Sequence, residues 1–164
     1  MTIKTILLAV DRSPRAAAEA DLVANTARGA HATVRLLHVM AEGEAALDAT
    51  GRVVVYADQE TASRTSEGLN YLRTLAPHFD GVPLECNVRF GDPVGQILEE
   101  ADEVGADLIV VGTAGRSGIG RVLLGSVAER VFARAAVPVL LVRPTPEPPE
   151  RGATARPGSS TGPR

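Results

Sequence analysis

Cysteine is nearly missing from this chain. Cys86 is its single cysteine, and one thiol cannot complete an internal disulfide, a thiolate metal site or a Cys-x-x-Cys redox pair. No apolar run approaches the roughly 20 residues that a membrane span requires. Residues 1–10 are too short for a signal peptide, because charged residues follow at Asp11 and Arg12. The sequence therefore predicts a soluble protein of the reducing cytoplasm.

Aromatic residues and strong charge are scarce as well. Tryptophan is absent and aromatic residues make up 3% of the chain, so Val, Leu, Ile and Ala must form the core. The formal net charge is -3 and no block is rich in Lys or Arg, which excludes the electrostatic footprint of most nucleic-acid-binding proteins. A length of 164 residues allows one domain with a full core. We therefore expect one domain with one site.

Apolar runs of strand length alternate with segments of helical pattern. These runs are residues 3–10, 33–40, 84–90, 108–111 and 137–142. The alternation predicts βαβ units and a parallel sheet. In the third run, apolar residues alternate with Glu85, Asn87 and Arg89, which indicates a strand with one partly solvated face. We therefore expect the third strand at an edge of the sheet.

Helix signals occupy the segments between these runs. Ser13 is the expected N-cap of the first helix, Pro14 its first residue and Gly29 its terminator. Asp92 and Gly105 are the corresponding cap and terminator of the third helix. The second and fourth helices are expected over residues 60–76 and 126–135, and residues 41–58 show no clear period. The first and third helices thus have the best-marked boundaries.

The composition changes abruptly after Val142. Residues 144–164 are rich in Pro, Gly, Ser and Thr and contain almost no apolar side chain to bury. Such a composition is typical of disordered segments. The sequence therefore predicts a folded domain over residues 1–143 and a disordered tail over residues 144–164.

The segment from Gly112 to Ser126 is rich in glycine and runs from the end of a strand into the start of a helix. Gly112 and Gly115 would let backbone N–H groups approach an anion without an intervening Cβ. Gly125 and Ser126 would place N–H groups and a hydroxyl at a helix start, where phosphate is the natural ligand. Ligands of open α/β sheets also bind at the carboxyl ends of the strands. The segment therefore predicts a phosphate site.

Two common phosphate motifs are excluded in this segment. A P-loop needs Gly-Lys-Ser/Thr after its glycines, and no lysine is present. The dinucleotide motif Gly-x-Gly-x-x-Gly fails because Gly118 and Gly120 are followed by Leu123 instead of a third glycine.

The spacing Gly112-x2-Gly115-x9-Gly125-Ser126 resembles the ATP-binding motif of the universal stress protein family, and residues 1–143 as a whole resemble that family. Asp11 after the first strand and Gly91-Asp92-Pro93 before the third helix belong to the same resemblance. It implies a Rossmann-like α/β fold, with one open five-stranded parallel sheet of order 3-2-1-4-5 and helices on both faces. It also implies a homodimer formed along the last strand, from Val137 to Val142.

The same resemblance implies a ligand and its contacts. The ligand would be ATP, with Mg²⁺ bound through the phosphates. The residues around it would be Ala9, Val10, Asp11, Val39, Val111, Gly112, Gly115, Arg116, Gly125, Ser126 and Val127. Asp11 and the Val39 backbone would lie near adenine and ribose, and the glycine motif near ribose and phosphates. Ala114 and Ala128 replace residues that are polar in some ATP-binding relatives, which leaves open the number of polar phosphate contacts.

Binding is favoured over catalysis. No second carboxylate or histidine accompanies the motif at a spacing that nominates a general base, so at most slow ATP hydrolysis is expected. His38 lies within an apolar strand and is interpreted as a packed or hydrogen-bonded histidine. The predicted function is a nucleotide-dependent regulatory module of the stress response, acting on a protein partner that the sequence does not identify.

Three alternatives stay open. The chain could be a nucleotide-independent interaction scaffold of the same fold, or a binder of AMP or cyclic AMP. An ATP-dependent ligase or pyrophosphatase is disfavoured, because those enzymes carry a Ser-Gly-Gly-x-Asp-Ser loop where this chain has the residues from Val10 to Pro14.

Overall fold

The computed structural model describes residues 2–42, 57–113 and 125–143 of the chain. Within these ranges the strands are β1 (Thr5–Ala9), β2 (Thr33–Met40), β3 (Leu84–Phe90), β4 (Leu108–Gly112) and β5 (Val139–Val142). The helices are α1 (Ala16–Ala30), α2 (Ala57–Leu75), α3 (Pro93–Glu103) and α4 (Ser126–Arg134), and a short 3-10 helix (Ala76–Phe79) follows α2. None of these helices is long and apolar enough to cross a membrane. The predictions for residues 43–56 and for the tail over residues 144–164 lie outside the described residues.

The strands form one parallel sheet in the order β3-β2-β1-β4-β5. Ile6 of β1 lies opposite Val34 of β2 on one side and opposite Leu108 of β4 on the other. Val34 in turn pairs with Leu84 of β3. The predicted open parallel sheet, its strand order and the edge position of the third strand are confirmed.

Helices cover both faces of this sheet. Ile6 and Leu8 of β1 pack into a core with residues of α1 and α2, whereas Leu7 packs into a second core with residues of α3 and α4. All three side chains are fully buried. Successive strand residues alternate between faces, so a central strand covered on both sides has to be apolar throughout. The ends of the strands, rather than the faces, therefore remain available to a ligand.

The first helix begins later than the sequence predicts. Arg15 is its N-cap residue, and its side chain makes no capping hydrogen bond. The Ser13 N–H donates to Oδ1 of Asp11 at 3.0 Å, and the Ser13 carbonyl accepts from the N–H of Ala16 at 3.2 Å. Ser13 and Pro14 therefore form a turn in front of the helix, and the prediction of Ser13 as N-cap is wrong.

The other end of α1 continues through Gly29 to Ala30. His31 then adopts the left-handed conformation (φ 53°, ψ 42°), and its N–H is directed at the carbonyls of Ala27 and Arg28. A left-handed residue after a helix is usually glycine, because other residues pay a steric cost there. The prediction of Gly29 as terminator is wrong, since His31 adopts that conformation in this chain.

The third helix has the predicted boundaries. Asp92 is its N-cap, with extended backbone angles, and its Oδ2 accepts from the N–H of Gly95 at 3.0 Å. Pro93 is the first helical residue, where its missing N–H costs nothing. Gly105 follows the helix with φ 60°, a value that favours glycine. The cap and terminator of this helix are confirmed.

A glycine in α2 marks the place where this helix meets the sheet. A Cβ at Gly68 would lie 2.8 Å from Cγ2 of Val88 and 3.2 Å from Sδ of Met40. Only a residue without a side chain allows so close an approach. Gly68, which weakens the helical pattern of this segment, therefore allows α2 to pack closely against β2 and β3.

Two polar residues of β3 bond to a buried carboxylate of α3. Glu100 is fully buried, and it accepts from Nδ2 of Asn87 at 2.9 and 3.0 Å and from Nε of Arg89 at 2.5 Å. Arg35 of β2 brings its Nε to 2.8 Å from Oε1 of Glu100, an ion-pair distance without hydrogen-bond alignment. The predicted partly solvated face of this edge strand is confirmed, with Glu85 exposed and with Asn87 and Arg89 only partly exposed because they bond to Glu100.

Candidate functional site

A cavity of about 830 Å³ lies at the carboxyl ends of β1, β2 and β4. Nine of the residues selected from the sequence line it: Ala9, Val10, Asp11, Val39, Val111, Gly112, Gly125, Ser126 and Val127. The other two, Gly115 and Arg116, lie outside the described residues. One cavity thus collects residues from the first strand, the second strand, the fourth strand and the last helix.

The strand order explains why the cavity lies there. The chain leaves β1 through α1 toward β2 on one side, and later returns to β4 on the other side of β1. The two connections diverge at the end of β1, which opens a crevice between them. Ala9 and Val111, paired in the β1–β4 register, form its floor. The strand order alone therefore determines where the site lies in the sheet, independently of the side chains that line it.

Asp11 is fixed in the wall of this cavity from two directions. Its Oδ1 accepts from the Ser13 N–H at 3.0 Å, and its backbone carbonyl accepts from the Tyr71 hydroxyl of α2. Burial, then the charges of Asp11 and Glu19, raise the pKa of Tyr71 to about 12, so this hydroxyl keeps its proton as a donor. Asp11 therefore presents a positioned carboxylate to the cavity.

His38 lies in the same wall and is packed, as the sequence predicts. Its Nδ1 is 3.0 Å from the carbonyl oxygen of Val10, and its ring meets Tyr71 edge to face at a centroid distance of 5.2 Å. A carbonyl oxygen only accepts, so we assign the proton to Nδ1. His38 thus joins the end of β2 to the end of β1.

The N-terminus of α4 faces the cavity. Gly125 is the N-cap residue (φ -59°, ψ 143°), and among the described residues no side chain caps this end of the helix. Its own N–H donates to the carbonyl of Thr113 at 2.7 Å, and its carbonyl accepts from Glu129 at 2.9 Å. The amides that precede this first intrahelical bond are those of Ser126, Val127 and Ala128, all in the cavity wall. An anion at this position would meet these amides and the positive end of the helix dipole.

The hydrogen bonding of Gly125 differs from the sequence prediction. The sequence predicts that its N–H is available to phosphate, but this N–H donates to the carbonyl of Thr113. Its role in the geometry is to join the end of β4 to the start of α4. Within the described ranges, the amides without a hydrogen-bond partner begin one residue later, at Ser126.

Glu19 of α1 is the residue that sequence reasoning missed. Its side chain lines the cavity, although only 7% of the residue is exposed. Burial, followed by the charge of Asp11, raises its pKa to about 7, and Arg15 opposes this rise. A signal was present, because Glu19 follows Ala16 by three positions and precedes Val23 by four, on the buried stripe of the helix.

Glu19 also explains the glycine at the end of β4. A Cβ at Gly112 would overlap Oε1 of Glu19 and lie 3.1 Å from its Cδ. The carboxyl group therefore occupies the space that the missing side chain leaves. A Cβ at Gly112 would therefore displace the Glu19 carboxyl group.

Two arginines border the cavity on the side of α2. Arg12 forms a 2.6 Å ion pair with Glu67, and Arg64 donates to the carbonyl of Ala41 at 2.6 Å and stacks on Phe90. Both line the cavity. The helical pattern of residues 60–76 gave no reason to select Arg64, because its position depends on where α2 meets β3.

A protein-held metal cluster is not present in the described residues. No group of three or more His, Cys, Asp or Glu side chains there could hold a metal ion.

Comparison with known proteins gives consistent matches. The chain matches the universal stress protein family over residues 2–143. Universal stress protein YxiE of Bacillus subtilis is 34% identical over 144 residues, 84% of this chain and 97% of that protein. A Thermus aquaticus universal stress protein, from the QAH/OAS sulfhydrylase 3′ region, is 40% identical over 141 residues, 85% of this chain and 98% of that protein. Universal stress protein MJ0531 of Methanocaldococcus jannaschii is 44% identical over 77 residues, about half of each chain (47% and 45%).

Solved structures agree with these relatives. The hypothetical protein MJ0577 superimposes with a TM-score of 0.75 at 26% identity, over 90% of this chain and 100% of that one. A universal stress protein in complex with cAMP gives 0.61 at 27% identity, over 87% and 98%. The universal stress protein of Archaeoglobus fulgidus in complex with dAMP gives 0.55 at 26% identity, over 86% and 98%. Family match, full-length relatives and strand order lead to one assignment: this chain belongs to the universal stress protein family.

Proposed function

We propose that this chain binds ATP in the cavity at the carboxyl ends of β1, β2 and β4, with Mg²⁺ held through the phosphates. The bound nucleotide would regulate contacts with a protein partner in the stress response. The observation that carries the proposal is the N-terminus of α4, which no described side chain caps and whose first residues line the cavity. Amides and helix dipole together favour a phosphate group there.

The rest of the cavity suits a nucleoside. Ala9, Val10 and Val111 offer apolar surface, and the backbone of Val39 offers hydrogen-bonding groups where β2 ends. A base in that position would leave its ribose beside Asp11 and its phosphates toward Ser126. The described residues supply no metal cluster, so Mg²⁺ would be held mainly by phosphate oxygens.

AMP or cyclic AMP is the second candidate ligand. Its support is that two structurally similar universal stress proteins were solved with cAMP and with dAMP. Those ligands share the adenine and one phosphate with ATP. The number of phosphates is therefore the question that the experiment has to answer.

Isothermal titration calorimetry with ATP, ADP, AMP and cyclic AMP, each with and without Mg²⁺, tests the proposal. We expect ATP with Mg²⁺ to bind most tightly. The variant Ser126→Asp adds a negative charge at the start of α4, which suits the helix but repels phosphate, and should weaken ATP binding at least tenfold. Asn25→Asp adds the same charge on the exposed side of α1 and should leave the affinity unchanged. If no adenine nucleotide binds the parent protein at millimolar concentration, the chain is better described as a nucleotide-independent scaffold.

The proposal extends to assembly, location and turnover. The protein would be a cytoplasmic homodimer paired along the strand from Val137 to Val142. It would hydrolyse ATP slowly at most, because the described cavity residues do not form a pair in which one group orients another as a general base. Colorimetric phosphate release under saturating ATP would measure this rate.

A further inference from the structure

Glu19 places an ionisable carboxyl group inside the cavity. Among the described residues, no partner holds this carboxyl group in one charge state. Its carboxyl group lies against Gly112 at the end of β4, and the residue is more than nine-tenths buried. None of the described residues donates a hydrogen bond to this carboxyl group. A largely buried carboxylate without protein donors is costly, whereas a buried carboxylic acid is much less so.

The described charged and titratable groups near Glu19 come from three elements and one turn. Asp11, in the turn after β1, raises its pKa, and Arg15 at the start of α1 lowers it. The charge of Glu19 contributes to the raised pKa of Tyr71 in α2. His38 of β2 lines the same cavity. Arg12 and Arg64 also line the cavity and are engaged by Glu67 and by the Ala41 carbonyl. The described residues that α3 and α4 contribute to the cavity wall are uncharged.

A phosphorylated ligand would change this balance in one direction. Its negative charge near the start of α4 would disfavour a second negative charge at Glu19. Filling the cavity would also remove the water that solvates the carboxylate, with the same sign of effect. A protonated Glu19 could in addition donate a hydrogen bond to a ligand oxygen. All three effects favour the acid form when the ligand is bound.

We propose that Glu19 is a ligand-sensing residue of the nucleotide cavity, and that a phosphorylated nucleotide binds together with a proton taken up by this carboxyl group. This inference rests on the proposed function and adds regulation to the same site. Nucleotide affinity would then rise as the surrounding pH falls, through the range in which Glu19 titrates. The protein would couple acidification to nucleotide occupancy.

Cyclic AMP is the probe, because its phosphodiester keeps one charge between pH 6 and pH 8.5. Calorimetry should give a dissociation constant about tenfold larger at pH 8.5 than at pH 6 for the parent. Glu19→Gln keeps the size and hydrogen-bonding ability of the protonated residue. We expect it to bind with the parent's pH 6 affinity at both pH values, within about twofold.

Proton uptake is measured by repeating the titration at pH 7.5 in buffers of different ionisation enthalpy. The parent should take up a substantial fraction of one proton per bound cyclic AMP, and Glu19→Gln close to none. Equal uptake by both proteins, or proton release by the parent, would overturn the role of Glu19 while nucleotide binding itself stands. Absence of binding by both proteins at pH 6 would overturn the proposed function and this inference together.

The side chain can also be followed without nucleotide. Carbon-13 NMR of the Glu19 carboxyl carbon, assigned by comparison with Glu19→Gln, should show a midpoint near pH 7 in the free protein and a higher midpoint with cyclic AMP present. A midpoint in the ordinary range of glutamate, near 4.5, would contradict the inference even if nucleotide binds.

Discussion

Glu19 destabilises the folded chain once it is ionised. Its pKa is raised from 4.5 to about 7, mainly by burial, so between these values the folded chain binds more protons at this group than the unfolded chain. Stability must therefore fall as the pH rises through this range, and level off above it. Glu19→Gln should match the parent near pH 5 and exceed its free energy of unfolding by about 1–3 kcal/mol at pH 8.

Urea unfolding at half-unit intervals from pH 5 to pH 8.5 measures this difference directly. Glu99→Gln is a suitable control, because Glu99 is an exposed carboxylate of α3 and should show no growing gap to the parent. A gap between parent and Glu19→Gln that stays constant over the whole range would mean that the carboxyl group titrates normally.

Replacing Gly125 by alanine should weaken ligand binding more than it weakens the folded structure. The backbone angles of Gly125 (φ -59°, ψ 143°) are open to alanine, and the residue lies in the cavity wall. We expect Gly125→Ala to weaken ATP binding by about 1–3 kcal/mol, through displaced phosphate contacts. Since the position is an N-cap, where glycine is preferred to alanine, stability should drop by up to about 1 kcal/mol.

Gly29→Ala is the matched control for this variant. Gly29 lies inside α1, and a Cβ there would meet no atom within 4 Å. Alanine should therefore raise stability by about 0.5–1 kcal/mol and leave ATP affinity unchanged in calorimetry. Unimpaired binding by Gly125→Ala would place the phosphates away from α4.

At the scale of elements, Glu100 connects α3 to the edge of the sheet. It accepts hydrogen bonds from Asn87 and Arg89 of β3 and lies within ion-pair distance of Arg35 of β2. Removing one member of a buried charged group leaves the others without compensation, so Glu100→Ala should cost about 3–5 kcal/mol of unfolding free energy. Glu99→Ala removes an exposed carboxylate 3.6 Å from Arg89 and should cost less than about 1 kcal/mol. Chemical denaturation distinguishes the two; similar losses would mean that Glu100 is not the centre of the network.

The elements themselves show what local sequence can and cannot predict. Asp92 caps α3 as expected because its side chain and the Gly95 amide are three residues apart, which fixes the contact locally. Ser13 carries the same kind of signal, yet Asp11 two residues earlier captures its amide, and two overlapping signals cannot be ranked by pattern alone. Arg89 looks solvent-facing in the sequence, because its partner Glu100 lies in another element.

At the scale of the molecule, strand alternation predicts a parallel sheet but leaves its order undetermined. The order came from the resemblance carried by the glycine motif, and the sheet confirms it. Apolar cavity residues such as Val10 and Val111 were selected for the same reason. Glu19 could not be found this way, since its position depends on how α1 packs beside Gly112, a contact between residues far apart in sequence.

The two edges of the sheet differ in a way that predicts assembly. β3 carries Glu85 and Arg89, and charged edge strands resist pairing. β5 is apolar at every position, and its Leu140 is 37% exposed. An apolar edge strand is a template for a second chain, and two-fold pairing of the same edge would close the assembly as a dimer.

Sedimentation equilibrium at micromolar concentration should therefore give the mass of a dimer for the parent. Leu140→Lys should shift it to the monomer, because a charged side chain on the edge would be desolvated on pairing. Leu22→Lys is the control, since Leu22 is similarly exposed (43%) but lies on α1, and it should remain a dimer. If Leu140→Lys keeps the parent's mass, or Leu22→Lys loses it, the dimer forms through α1 or another surface instead of β5.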